Sequence, residues 1–224
     1  MTLSEKIKEI KLLMQYAAPE EHLKKLTDLV ERYETDLIAL NVFHNFYSYL
    51  PEAENDGIKI IRQLKNRQGA FLLCATTNID DYLYVSTSEE AIFLGPLKEG
   101  INDREVLDYF GFTDNKNFIE KYRDLAEFPV HIPIALNAGL CPICAVASGE
   151  NHTLGCPVEI CPWCGGQLTN CACKFTKSGR KEISRESHID SFEEKLEKKG
   201  RIPFNPGKDL PGFNKLNTKV TSNE

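Results

Sequence analysis

Apolar residues in the first fifty positions recur at helical spacing. Leu3, Ile7, Ile10 and Met14 form one stripe, and Thr2 with Glu5 supplies a capping box ahead of it. Leu23, Leu26, Val30, Tyr33, Leu37 and Leu40 alternate steps of three and four, the seam of a helix packed on a neighbour. Pro19 suits the first turn of that second helix, and a break is expected near Thr35-Asp36. Val42, Phe43, Phe46, Tyr47 and Leu50 continue the helical pattern until Pro51. Ile58 to Arg67 reads as a further short helix stopped by Gly69.

After Gly69 the period changes. AFLLCA (70–75), YLYVST (82–87) and AIFLG (91–95) read as three short strands of an antiparallel meander. Helical spacing returns at 102–110, with Asn102 and Glu105 as the expected caps, and again from Asp114 to Leu125. FPVHIPIALN (128–137) carries prolines that suit an extended connector or edge strand. A last helix is expected from about Asp190 to Lys199, ended by Gly200. The pattern therefore predicts an α+β fold. An α+β domain occupies 1–138, a cysteine-rich module 139–176, a basic linker and helix 177–204, and an unstructured tail 205–224.

Seven of the eight cysteines lie between Cys141 and Cys173. Cys141-Pro-Ile-Cys144 and Cys161-Pro-Trp-Cys164 are C-x2-C turns whose separation lies in the range of a four-cysteine zinc site. Such a turn presents two thiolates to one ion, and two turns complete the tetrahedron that zinc accepts. Cys156, Cys171, Cys173 and His152 are further candidate ligands. If Cys171 and Cys173 lie on a strand, they point the same way. The ligands can be divided in two ways. In the simpler, Cys141, Cys144, Cys161 and Cys164 form one crossed ribbon. In the other, Cys141, Cys144, His152 and Cys156 hold one ion, and Cys161, Cys164, Cys171 and Cys173 hold another. The crossed ribbon is the minimal expectation, with zinc the metal and rubredoxin-type iron the inorganic alternative. The glycine after Cys164 favours a left-handed residue that Ala145 supplies less readily. Cys74, in a predicted strand, reads as a buried apolar residue.

Charge divides unevenly. Residues 1–140 carry 15 Lys/Arg against 23 Asp/Glu, and residues 141–224 carry 12 against 10. An acidic body argues against a chain that sheathes nucleic acid. It leaves one basic cluster, Lys174, Lys177, Arg180, Lys181 and Arg185, as a candidate phosphate contact. The sequence lacks H-E-x-x-H, G-x-S-x-G and G-x-G-x-x-G. An enzymatic reading would rest on the acids Asp80-Asp81, Glu89-Glu90 and Asp103, which as turn residues are more simply explained by solvation. No apolar run is long enough for a membrane span, and the N-terminus has no signal-peptide pattern. Clustered thiols then suit metal rather than disulfides, and the expected location is cytoplasmic.

The run LGCPVEICPWCGGQLTNCACKF, followed by a helix and GRIPF, resembles the C-terminal segment of a group of uncharacterised bacterial proteins with zinc-ribbon-like tails. The similarity covers about Cys141 to Phe204, and Ala172 replaces the glycine expected in the last C-G-C. It implies metal binding in a bacterial cytoplasm and carries no activity. The leading expectation is a zinc-binding, non-enzymatic adaptor that docks a protein partner. A nucleic-acid-binding ribbon and an enzyme without linear motifs are the alternatives.

Overall fold

The computed structural model describes residues 2–18, 20–49, 56–134, 139–179 and 185–209. These fall into two compact units, Met1–Ala138 and Gly139–Glu224.

The first unit begins with three helices, α1 (Leu3–Ala17), α2 (Glu20–Arg32) and α3 (Leu37–Tyr49). The predicted capping box is present: the Glu5 amide donates to the Thr2 hydroxyl, and the Thr2 amide donates to the Glu5 carboxylate. Ile10 and Met14 are buried on the stripe expected for α1. The chain breaks between α2 and α3 at Tyr33–Asp36, and the Asp36 carboxylate accepts the Ala39 amide in the first turn of α3. Pro19 and Pro51 lie outside the described residues.

Four antiparallel strands come next, in sequential order: β1 (Ile60–Arg67), β2 (Ala70–Thr76), β3 (Asp81–Ser86) and β4 (Ala91–Pro96). The helix expected over 58–67 is thus corrected to a strand. Its register shifts at Leu64, where a bulge inserts one residue between Gln63 and Lys65. Ile58, Ile61 and Leu64 are buried at steps of three, which in sequence mimics a helix, and the bulge at Leu64 interrupts the alternation that would mark a strand. Gly69 is no helix stop either. Gln68 and Gly69 both have positive φ, 47° and 79°, as a two-residue hairpin turn requires.

Every residue of β2 up to Ala75 is buried, because the sheet is covered on both faces. Packing of α3 against β3 and β4 covers one face. There Ser86 Oγ donates to the Ile38 carbonyl at 2.8 Å, and Asn45 Nδ2 donates to the Ala91 carbonyl at 2.8 Å. The other face packs on α4 (Arg104–Tyr109) and α5 (Asn115–Lys121). Leu72, Cys74, Leu83, Leu107, Phe110 and Phe118 meet in this core. The α4 cap is Asp103 rather than Asn102, since its Oδ1 accepts the Glu105 and Val106 amides. Asp114 caps α5 as predicted. The connector beyond Phe128 makes a single bridge, Val130 to Arg62. It is anchored by His131, whose Nε2 lies 2.8 Å from the Asp36 carboxylate, with both side chains buried. Residues 135–138 lie outside the described residues.

The second unit contains two cysteine turns, then α6 (Cys173–Ser178), α7 (Glu186–Lys199) and a short α8 (Pro206–Asp209). Phe204 packs among Cys141, Cys144, Val146 and Cys156, whereas Phe192 and Leu196 of α7 pack beside Cys161 and Leu168. Each cysteine cluster therefore has its own small apolar cover. Of the tail expected over 205–224, Pro206–Asp209 form α8, and the rest, from residue 210 onward, lies outside the described residues. No described helix is long and apolar enough to cross a membrane.

Candidate metal centres

The two cysteine turns are built alike. In the first, the Cys141 amide donates to the Val146 carbonyl at 2.8 Å and the Ala145 amide to the Cys141 carbonyl at 2.9 Å. In the second, the Cys161 amide donates to Gly166 at 2.7 Å and the Gly165 amide to Cys161 at 2.9 Å. Single bridges flank them, Leu140 to Ala147 and Ile160 to Gln167. The backbone thus repeats at an offset of twenty residues, although beyond C-P-x-C the side chains do not repeat. Gly165 takes φ 73°, and Ala145 takes the same left-handed conformation at φ 58°, so the first turn is not looser for lacking glycine.

The return segment after each turn sets its ligands. Residues 145–156 bring His152 and Cys156 back to the first turn, and residues 165–173 bring Cys171 and Cys173 back to the second. The resulting sets are Cys141, Cys144, His152 and Cys156, and Cys161, Cys164, Cys171 and Cys173. Within each set all four ligand atoms lie within 4.8 Å of one another. The crossed ribbon is therefore not the arrangement found: Cys141 and Cys144 group with the intervening residues, not with Cys161 and Cys164. Cys171 and Cys173 converge without a strand, because Cys171 sits in a bend and Cys173 opens α6.

The spacings match a tetrahedral ion. Metal–sulfur bonds of about 2.3 Å give a sulfur–sulfur edge of about 3.8 Å, and a sulfur–nitrogen edge of about 3.6 Å. Cys141 Sγ and Cys156 Sγ are 3.7 Å apart, and Cys144 Sγ lies 3.3 Å from His152 Nδ1. A disulfide would need about 2.05 Å, and all eight cysteines are free. Either set can hold a metal ion.

The two sets differ in exposure. Cys141, Cys144, His152 and Cys156 are all buried, and the His152 ring meets Phe204 edge-on at 5.2 Å. In the second set only Cys161 is buried; Cys164 is exposed, and Cys171 and Cys173 are half-buried.

Charge explains why these clusters call for a cation. Hydrogen bonds from Cys141 and Cys156 hold the Cys144 thiol far below its usual range. The same contacts, seen from the donor side, push Cys156 far up. Burial pulls His152 down, but hydrogen bonds and charge from Cys141 and Cys144 outweigh it and raise the imidazole to about 9. In the second set, backbone donation from Gly166 lowers Cys164, while burial first and its thiol neighbours next push Cys173 up to about 12. One thiolate per set is thus easily accommodated. Further ionisation puts like charges side by side, which a bound cation reverses.

Arg201 ties the unit together. Its Nε donates to Glu159 Oε1 at 2.9 Å, one amino group also donates to the His152 carbonyl, and Glu193 and Glu197 of α7 lie 3.6 Å away. Sequence reading missed both Arg201 and Glu159. The only available signal was the GRIPF tail beyond Gly200.

Among the described residues, the remaining sequence-predicted ones do not converge on a site. Asp80 pairs with Lys98, Asp81 accepts the Thr76 hydroxyl, and Asp103 caps α4. In the basic cluster, Lys174 Nζ donates to the Thr169 carbonyl, while Arg180 and Lys181 lie outside the described residues. Compared with protein-family models, with curated proteins and with solved structures, the chain finds no significant match.

Proposed function

We propose that the chain is a zinc-binding, non-enzymatic interaction protein, and that its second unit holds two structural zinc ions for docking a protein partner. The observation that carries this reading is the completeness of both donor sets. Each has four protein ligands, whereas a catalytic zinc keeps one position for water or substrate. The donor types favour zinc over iron, because three thiolates with one imidazole belong to the structural zinc repertoire. Free thiols in this number suit a reducing compartment. The resemblance to zinc-ribbon tails of bacterial proteins supports the same metal and a cytoplasmic setting.

Three isoleucines of this unit, Ile143, Ile189 and Ile202, are exposed, and they are the apolar contacts a docking surface offers. A nucleic-acid partner is less favoured. Lys195 of α7 donates to the Lys177 carbonyl, which places a helix bearing Asp190, Glu193, Glu194 and Glu197 beside Lys177. Phosphate would meet both signs of charge, and metal thiolates add negative charge.

Native mass measurement on protein purified from its own host tests the proposal. The expected result is two zinc ions per chain with a protein partner in fixed ratio. Zinc-loaded protein that instead carries nucleic acid through nuclease treatment and high salt would overturn the adaptor reading.

A further inference from the structure

The first unit contains a groove that plays no part in the metal centres. It has a volume of about 400 Å³ and lies between α2, the end of α1 and the segment 56–59 that leads into β1. That volume falls within the range of small-molecule sites, which combine an apolar lining with a few convergent polar groups. The floor is apolar: Leu26, Gly57 and Ile58 are buried, and Leu29 is half-buried. A Cβ at Gly57 would come within 2.9 Å of both Leu26 methyl carbons. Glycine there lets the segment press against α2.

The rim is cationic. His22, Lys25, Leu29 and Arg32 stand at i, i+3, i+7 and i+10 of α2, so one helix face presents cations on either side of the leucines. Lys59 lines the opposite wall. An acidic unit normally spends its cations on neighbouring acids, as Lys11 does with Glu31 and Lys98 with Asp80. Lys25, Arg32 and Lys59 make no ion pair among the described residues. Two acids also line the groove. Asp28 is exposed, and Asp56 is buried with its Oδ1 accepting the Gly57 and Asn78 amides at 2.9 and 2.8 Å. Those two amides occupy Asp56 Oδ1, Asp28 makes no ion pair among the described residues, and the three cations are exposed.

We infer that this groove binds a small organic anion. An apolar body of a few carbons lies on Leu26, Leu29 and Ile58, and an acidic head group is met by Lys25, Arg32 and Lys59. A carboxylate and a phosphate ester share this chemistry. The site requires nothing of the metal centres.

Amide shifts in the ¹⁵N-labelled full chain test it, with octyl phosphate, octanoate and octanol as probes. Saturable shifts are expected in α2 between 22 and 32 and at 57–59 with one or both anions, and the preferred anion identifies the head group. Octanol is expected to bind about tenfold more weakly or worse, since one or two charge-assisted contacts are absent. Lys25→Gln with Arg32→Gln should cost a similar factor while the rest of the spectrum stays in place, and Lys25→Glu with Arg32→Glu should cost more. Shifts that do not saturate, that centre elsewhere, or that are equal for octanol would overturn the assignment. So would unchanged anion affinity in the folded glutamine variant.

Discussion

The left-handed residue after each cysteine pair offers a quantitative test of the repeated-turn architecture. Gly165 has φ 73°, and a Cβ built on it meets nothing within 4 Å. Gly165→Ala therefore adds no clash, and its cost is the backbone strain of an L-residue in that region, about 1–2 kcal/mol, less about 0.4–1 kcal/mol for the stiffer unfolded chain, a net loss of about 0.5–1 kcal/mol. Ala145 already bears that strain at φ 58°. Ala145→Gly should recover it, less about 0.4–1 kcal/mol for the freer unfolded chain, leaving a net gain of about 0.5–1 kcal/mol. In a segment this small, folding and metal binding share one free energy. Gly165→Ala should thus weaken metal binding at the second set by about two- to fivefold. Ala145→Gly should tighten the first set by about two- to fivefold. Zinc competition against a chromophoric chelator gives both affinities, and Trp163, the only tryptophan, reports the second turn directly. Unchanged affinity in Gly165→Ala, or weakening in Ala145→Gly, would show that the turns do not depend on this conformation.

Further expectations concern both units. Cys164→Ser should lose one of two ions while Cys141, Cys144, His152 and Cys156 keep theirs, as counted by metal analysis; loss of both would show one shared centre. His131→Ala removes one of the donors to the buried Asp36 carboxylate, which keeps the Ala39 and Ile134 amides, and should cost about 1–3 kcal/mol, read from amide exchange in the core of the first unit; an unchanged stability would contradict a buried hydrogen bond there. Burial pushes the Cys74 thiol up to about 12 and the Tyr122 phenol likewise to about 12. The unfolded chain releases these protons nearer their ordinary values of 9.0 and 10.0, so stability should hold below about pH 9 and fall as pH rises toward 12. Chemical denaturation at several alkaline pH values measures the slope, and a flat profile would contradict the burial. Cys74 should also resist alkylation in the native protein, which mass mapping of modified thiols checks.

Much of the first unit is legible in the sequence because local signals and packing agree there. Thr2 with Glu5 caps the helix they announce, and the strands around Leu72, Leu83 and Ala91 alternate or run apolar as covered strands do. β1 reads as a helix because Ile58, Ile61 and Leu64 fall at steps of three, and the bulge at Leu64 breaks the alternation that would announce a strand. Asn102 and Asp103 are equally good caps in sequence, and only the backbone decides that Asp103 faces the free amides. The eight ligands are all visible as residue types, but their partition is not. Two chemically identical C-P-x-C pairs can be joined in either way, and the choice depends on the return path of residues 145–156. Burial of His152 depends on Phe204, a residue contributed from beyond α7, so no local pattern around Asn151 and Thr153 announces it.

The second unit should hold two separate tetrahedral centres, one with three thiolates and an imidazole and one with four thiolates. Cobalt(II) substitution tests it most directly, because the absorption of tetrahedral cobalt reports thiolate number. Titration of the metal-free chain should reach two equivalents. In Cys156→Ser only the buried centre should change its spectrum, and in Cys173→Ser only the exposed one. Saturation at one equivalent, or a spectral change at both centres in each variant, would contradict two separate centres.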